Sequence, residues 1–381
     1  MTSATNTLQP DTRAEALVAA YERAGYRRTA PAILQPAEPF LDLSGEDIRR
    51  RMYLTTDADG NELCLRPDLT IPVSCDYLAS SEAGKPRGFC YLGPVFRDRG
   101  PASAEFVQAG IESFGRTDTA AADAEMVALG LEATSHYGLT APEIRMGDVA
   151  LFSALIAALD LAPGWKRRLI KDFNRKSNLA HDLERLTLAA HNKRAEYEGV
   201  LAALAGSDPK AAKALVSDLI SIAGITTVGG RTVDEIAERF LEQAALGAGT
   251  ALPQEKRALI ERFLAISGNP DEAAGALRAL AADADLALGP ALDLLETRTG
   301  FLAARGIDVS GVQFSTGFGR GIDYYTGVVF ELHDPATRVV GQLVAGGRYD
   351  GLLMRLGATA PIPAVGFAAW IERIAACGEV A

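Results

Sequence analysis

The amino-acid sequence predicts an α+β fold, a mostly antiparallel sheet flanked by helices, with a helical insertion dividing it. Three observations carry that prediction. Strand-like runs, some paired around turn residues, recur through the first 150 residues. A long stretch from about residue 151 turns Ala/Leu-rich and charged with helical periodicity, of which "DEAAGALRALAADADLA" is typical. Strand patterning then returns at "GVQFS" and continues to the C-terminal region. The hairpin signals favour antiparallel pairing over a doubly wound parallel sheet. Residues 1–150 and 285–381 are therefore expected to form one core, and 151–284 the insertion.

In chain order, "DTRAEALVAAYERAGY" sets Ala14, Leu17, Val18 and Tyr21 at helical spacing, with Asp11 or Thr12 as N-cap and Gly25 as the stop. "RMYLTTDADGNELCLRPD" reads as a hairpin around Asp59-Gly60. "IPVSCDYLAS" follows as a helix. "GFCYLGPVFR" and "EFVQAGIESFG" read as strands joined by the loop "DRGPASA". "AADAEMVALGLEATSHYG" is helical, and "EIRMGD" a short strand. After the insertion, "GVVFELH" and "GQLVAGG" read as strands, and "PAVGFAAWIERIAA" as a strand running into a helix.

At 381 residues, 48% of them hydrophobic and 23% charged, the chain has material for an ample core. The net charge of −11 is concentrated early: residues 1–150 hold 14 basic against 22 acidic side chains. No segment has the basic balance of a nucleic-acid binder. The exception is local: "WKRRLIKDFNRK" (165–176) carries six basic residues against one aspartate, a pattern more common on solvated or partner-facing helices. Cys64, Cys75, Cys90 and Cys377 lack C-x-x-C spacing, and the four histidines have no ligand spacing, so no metal site is expected. The N-terminal region lacks signal-peptide character, and no run of eighteen apolar residues occurs. A cytoplasmic protein without a membrane span is expected.

Gly317, Gly319 and Gly321 suggest a dinucleotide loop, but Ile322 stands at the sixth position and a strand follows where the fingerprint requires a helix. "AGGRYDGL" lacks the Lys-Ser/Thr of a P-loop. Four polar constellations remain: Arg66, Asp68 and Thr70 in "RPDLT"; Arg97 in "FRDRG"; Gln108 and Glu112 in "EFVQAGIE"; and Arg320, Tyr324 and Tyr325 in "RGIDYY". Gln108 and Glu112, four apart on one strand, share a face. Each constellation alone has an ordinary alternative, such as a solvated arginine after a strand or a tyrosine ring in the core. Together they are complementary: carboxylates and an amide suit an ammonium group, arginine suits a carboxylate, and tyrosine suits a polar aromatic ring.

"LRPDLT", "GPVFRDR…EFVQAGIESFG", "RGIDYYTGVVFE", "GGRYDGLLMRLG" and "PAVGFAAWIER" resemble, in order, the motifs of class II histidyl-tRNA synthetase. The resemblance covers nearly all of the chain outside the insertion. It implies a class II synthetase-like core in which Asp68, Thr70, Arg97, Gln108, Glu112, Arg320, Tyr324 and Tyr325 form a histidine pocket. It also places Phe106 and Arg373 at positions that in a synthetase hold ATP. The chain departs from the synthetase pattern in "RDRGPASAEF", whose loop is short and lacks the family's glutamate and second arginine, and in Asp68, where synthetases usually have Glu. Eight residues follow Arg373, so no anticodon-binding domain is expected. A core of this kind resembles the regulatory-subunit family of ATP phosphoribosyltransferase. That likeness implies no catalytic residues or cofactor of its own, L-histidine as effector, and a short-form catalytic subunit as partner. The assembly it implies is a homodimer within a hetero-octamer. A truncated ligase that still forms histidyl-adenylate is the alternative.

Overall fold

The computed structural model describes residues 11–173, 178–181, 183, 184, 214, 218 and 253–378. The chain divides into two compact units, one of residues 1–154 with 262–381 and the other of 155–261.

In the first unit, α1 (Thr12–Arg23) begins at Asp11, whose carboxylate accepts the Arg13 N–H at 3.0 Å. Its buried stripe is Ala14, Leu17, Val18 and Tyr21, and Gly25 leaves the helix at φ +100°. A short β1 (Arg27–Arg28) follows, and then a three-stranded sheet of β2 (Leu34–Pro36), β3 (Tyr53–Thr56) and β4 (Glu62–Leu65), with β4 central. Short helices α2 (Glu38–Leu43) and α3 (Glu46–Arg49) lie between β2 and β3. The β3–β4 hairpin turns where the Asp57 carboxylate accepts the N–H groups of Asp59 and Asn61 and Gly60 adopts φ +87°.

The main sheet is built from β1, β5 (Arg87–Phe96), β6 (Glu105–Phe114), β7 (Glu143–Asp148), β8 (Ser267–Gly268), β9 (Gln313–Ser315), β10 (Val328–His333), β11 (Val344–Arg348) and β12 (Ala364–Trp370). Its order is β1-β5-β6-β12-β11-β10-β7-β9-β8. Among the described residues only β1–β5 and β7–β9 run parallel. The helices of this unit include α4 (Thr70–Ala79) and α5 (Thr119–Ser135); α6 (Val149–Ala158) starts at the end of β7, and its residues from 155 on belong to the second unit. In the second unit α7 (Pro163–Asp172) buries Trp165 and Leu169; the rest of the basic run beyond Phe173 lies outside the described residues. Helix α8 (Gln254–Leu264) carries the last of the second unit's residues, and the first unit, resuming at 262, continues with α9 (Pro270–Asp283), α10 (Gly289–Ala304), α11 (Leu352–Arg355) and α12 (Ile371–Gly378).

Residues 262–284 were expected within the insertion but belong to the sheet-bearing unit. Strand β8 pairs antiparallel with β9, Gly268 opposite Phe314, and α9 packs on α10. The Ala/Leu periodicity of α9 is the same whichever partner covers its apolar face, so sequence texture alone cannot place it.

The two faces of the main sheet differ. On one, helices α1 and α5 seal an apolar layer in which Tyr21 meets Phe367 edge-on at 6.0 Å, and Gly130 lets α5 approach Val344 and Phe330. On the other, register aligns Tyr91, Gly110, Ala368, Ala345 and Glu331 in one row, and Glu112, Gly366, Gly347 and Val329 in the next. Glycine and alanine fill the middle of both rows. That leaves a depression with polar side chains around it.

Candidate functional site

A cavity of about 370 Å³, counting its open mouth, occupies this depression. Seven of the eight predicted pocket residues line it: Asp68, Thr70, Arg97, Gln108, Arg320, Tyr324 and Tyr325. The eighth, Glu112, is fully buried and is reached through Thr70 and Tyr349, which line the cavity and donate their hydroxyls to it.

Each side chain is placed by a different local device. Asp68 precedes α4 and accepts the Ile71 N–H at 3.2 Å in the helix's first turn. Arg66, two residues earlier, is turned away: its guanidinium donates to the carbonyls of Pro94 and Pro31, tying the loop to β5. Arg97 follows β5, and its Nε donates to the Pro67 carbonyl at 2.6 Å. Gln108 and Glu112 share a face of β6, as their spacing requires. The Oε1 of Gln108 is buried with no hydrogen-bond partner. Arg320 is held by Glu331 (3.1 Å from Nε) and by the Tyr325 hydroxyl (2.6 Å from Nη1). The rings of Tyr324, Tyr325 and Tyr349 meet one another at centroid distances of 4.9–6.4 Å.

Glu112 sets the electrostatics. Thr70 donates to it at 2.7 Å and Tyr91 at 3.1 Å, and Tyr349 donates to its other oxygen. Burial pushes its carboxyl up to about 8 despite these three hydroxyl donors. Burial also raises Asp68, a shift that Arg97 opposes, and lowers Arg97, which Asp68 opposes. Gly366 is required opposite Glu112, since a Cβ there would stand 1.9 Å from a carboxylate oxygen and 2.5 Å from the Ile111 carbonyl. The free site thus presents a strongly desolvated carboxyl, an unused amide oxygen and two arginines. Those groups suit a small zwitterion.

The two residues expected at nucleotide positions do not line the cavity. Phe106 is buried, with the Arg99 guanidinium 4.2 Å and the Arg97 guanidinium 5.7 Å from its ring centroid. Arg373 donates to the Gln342 carbonyl at 2.8 Å and lies 5.5 Å from the ring of Trp370, itself a cavity-lining residue. Sequence reasoning missed Tyr91, Tyr349 and Glu331. Tyr91 becomes identifiable once β5 is registered on β6, where it faces Gly110. Tyr349 was visible in the quoted "GGRYDGL", immediately after a Gly-Gly strand segment.

A sequence model described as histidyl-tRNA synthetase matches residues 7–228 and 211–374. Proteins named ATP phosphoribosyltransferase regulatory subunit from Brucella canis and Brucella suis are each 42% identical over 347 residues, covering 90% of this chain and 91% of theirs. The crystal structure of an ATP phosphoribosyltransferase regulatory subunit/histidyl-tRNA synthetase from Bacillus halodurans superposes with TM-score 0.64 at 21% identity, over 99% of this chain and 83% of that one. A histidyl-tRNA synthetase from Nostoc sp. PCC 7120 gives TM-score 0.61 at 16% identity, over 98% and 74%. The antiparallel sheet with its flanking helices is thus a histidyl-tRNA synthetase-like core, and the chain belongs to the family of ATP phosphoribosyltransferase regulatory subunits.

Proposed function

We propose that this chain is the histidine-sensing, non-catalytic subunit of a short-form ATP phosphoribosyltransferase, which makes phosphoribosyl-ATP from ATP and phosphoribosyl pyrophosphate in histidine biosynthesis. The observation that carries the reading is the cavity, lined by the unpartnered Gln108 Oε1 and by Arg320, with buried Glu112 directly behind its Thr70 and Tyr349 walls. In this reading Arg320 takes the ligand carboxylate, while Asp68, Gln108, Glu112 and the tyrosines take the ammonium and the imidazole. Absence of adenylation is supported by the hairpin after β5. Its loop closes on itself through Arg97 N–H to the Ala104 carbonyl (2.9 Å) and Arg99 Nε to the Ser103 carbonyl (2.7 Å). Arg99 thereby covers the Phe106 ring on which the resemblance would place a nucleotide.

The assembly proposed is cytoplasmic, with dimers of this chain joined to short catalytic subunits in a hetero-octamer. Histidine inhibits it by preferring one arrangement of the complex, a coupling of about 1–3 kcal/mol per site. Calorimetric titration of the purified chain with histidine, beside ATP–pyrophosphate exchange, tests the reading. Saturable binding without exchange is expected. Robust exchange would favour a histidyl-adenylate-forming ligase, the reading that Arg97 and Arg320 in the cavity keep open.

A further inference from the structure

Strand β10 places Glu331 and His333 two residues apart, and therefore on one face. Glu331 sits opposite Ala345, in the row of small residues under the cavity, and its short neighbours leave the carboxylate room to reach Arg320. One carboxylate oxygen meets Arg320 Nε at 3.1 Å, and the other lies 3.0 Å from His333 Nε2. On the far side of the guanidinium, Tyr325 accepts from Nη1 at 2.6 Å. Arg320 is thus gripped at both ends of its planar fork, while its side chain lines the cavity. Burial pushes the Glu331 carboxyl up, but His333 and Arg320 more than offset this and hold it below the usual glutamate range. A buried arginine without such a grip would sample several rotamers and lose the geometry that planar recognition of a carboxylate needs.

We propose that Glu331, braced by His333, is a positioning residue that fixes the Arg320 guanidinium for the carboxylate of the bound ligand, and so makes the site select an amino acid over the corresponding amine. This rests on the proposed histidine-binding reading, and deepens it by assigning carboxylate discrimination to a residue outside the cavity lining. Glu331 touches no ligand itself.

The test compares two ligands, L-histidine and histamine, which differ by the carboxylate alone. Calorimetry on the full chain gives both affinities for the parent, Glu331→Gln and His333→Ala. Glu331→Gln is expected to weaken histidine by about tenfold, the effect of one charge-assisted contact, and to leave histamine within about twofold. His333→Ala is expected to move the same ratio in the same direction by a smaller factor. It keeps the test alive should Glu331→Gln fail to fold. Equal weakening of both ligands would make Glu331 a packing residue and overturn the proposal, as would no change in either. Failure of the parent chain to bind histidine at all would remove the underlying reading, and the proposal with it. A parent that binds histidine, with an unaltered ratio in both variants, refutes the positioning role alone.

Discussion

Two buried charge clusters lie in the same compact unit, and their difference separates scaffold from site. In the first, Arg298 of α10 meets Asp123 of α5 at 2.9 Å and Asp148 at the end of β7 at 2.8 Å. Arg348 of β11 takes the other Asp123 oxygen at 2.6 Å and bonds Asp350 at 2.9 Å. Nearly every atom here is matched, leaving only Arg298 Nη2 over. In the second cluster, the cavity, the Gln108 Oε1 lacks a partner, and among the described residues Glu112 is ringed by neutral hydroxyls with no cation bonded to it. Matched buried charges hold elements together, whereas mismatched ones cost stability and persist where a ligand completes them. The two clusters are neighbours in sequence through Arg348 and Tyr349, one serving each.

The largest expected effect breaks the first cluster. Arg298→Met leaves buried Asp148 without its cation and Asp123 with Arg348 alone, and should cost about 3–5 kcal/mol in urea unfolding. Loss of histidine binding from the fraction that remains folded would blur the contrast between scaffold and site. Next, Glu112→Gln should weaken histidine by about 3 kcal/mol through loss of the carboxyl that ionises on meeting the ligand cation, measured by calorimetry. Its unfolding free energy without ligand should not fall, because the parent carboxyl is already disfavoured by burial. Unchanged affinity would remove Glu112 from the site.

The pH dependence sharpens the same point. The Glu112 carboxyl stands at about 8 in the folded chain against 4.5 for the free group. Between those values the folded state holds a proton that the unfolded state has released. Its stabilising contribution is therefore fully present below about 4.5 and lost as pH rises through about 8. Melting temperature without ligand should decline over that window, and Glu112→Gln should flatten the decline. An identical slope in the variant would assign it to other groups. The smallest effect is expected from Tyr325→Phe, which removes one neutral acceptor from Arg320 and should weaken histidine by about 0.5–1.5 kcal/mol in the same titration. No change would leave Glu331 as the principal holder of Arg320.

Most of the fold was legible because its signals are local. The α1 stripe and its cap, the hairpin at Gly60, the β5–β6 pair and the return of strand patterning at β9 are all set by neighbours in the chain. The placement of residues 262–284 was not legible, since packing partners distant in sequence decide it. Within the site, side chains announced by a motif were found together. Tyr91 and Glu331 acquire their roles from strand register, opposite Gly110 and Ala345, and no local pattern encodes which strands are adjacent. The floor of Gly366, Gly347 and Ala345 is legible as small residues, but its use as a cavity needs the sheet assembled.

The central claim is that the cavity holds histidine without activating it. One measurement addresses it most directly: ATP–pyrophosphate exchange by the purified chain at histidine concentrations shown by calorimetry to saturate the site. The account predicts saturable histidine binding and no histidine-dependent exchange. Exchange that rises with histidine occupancy would contradict it.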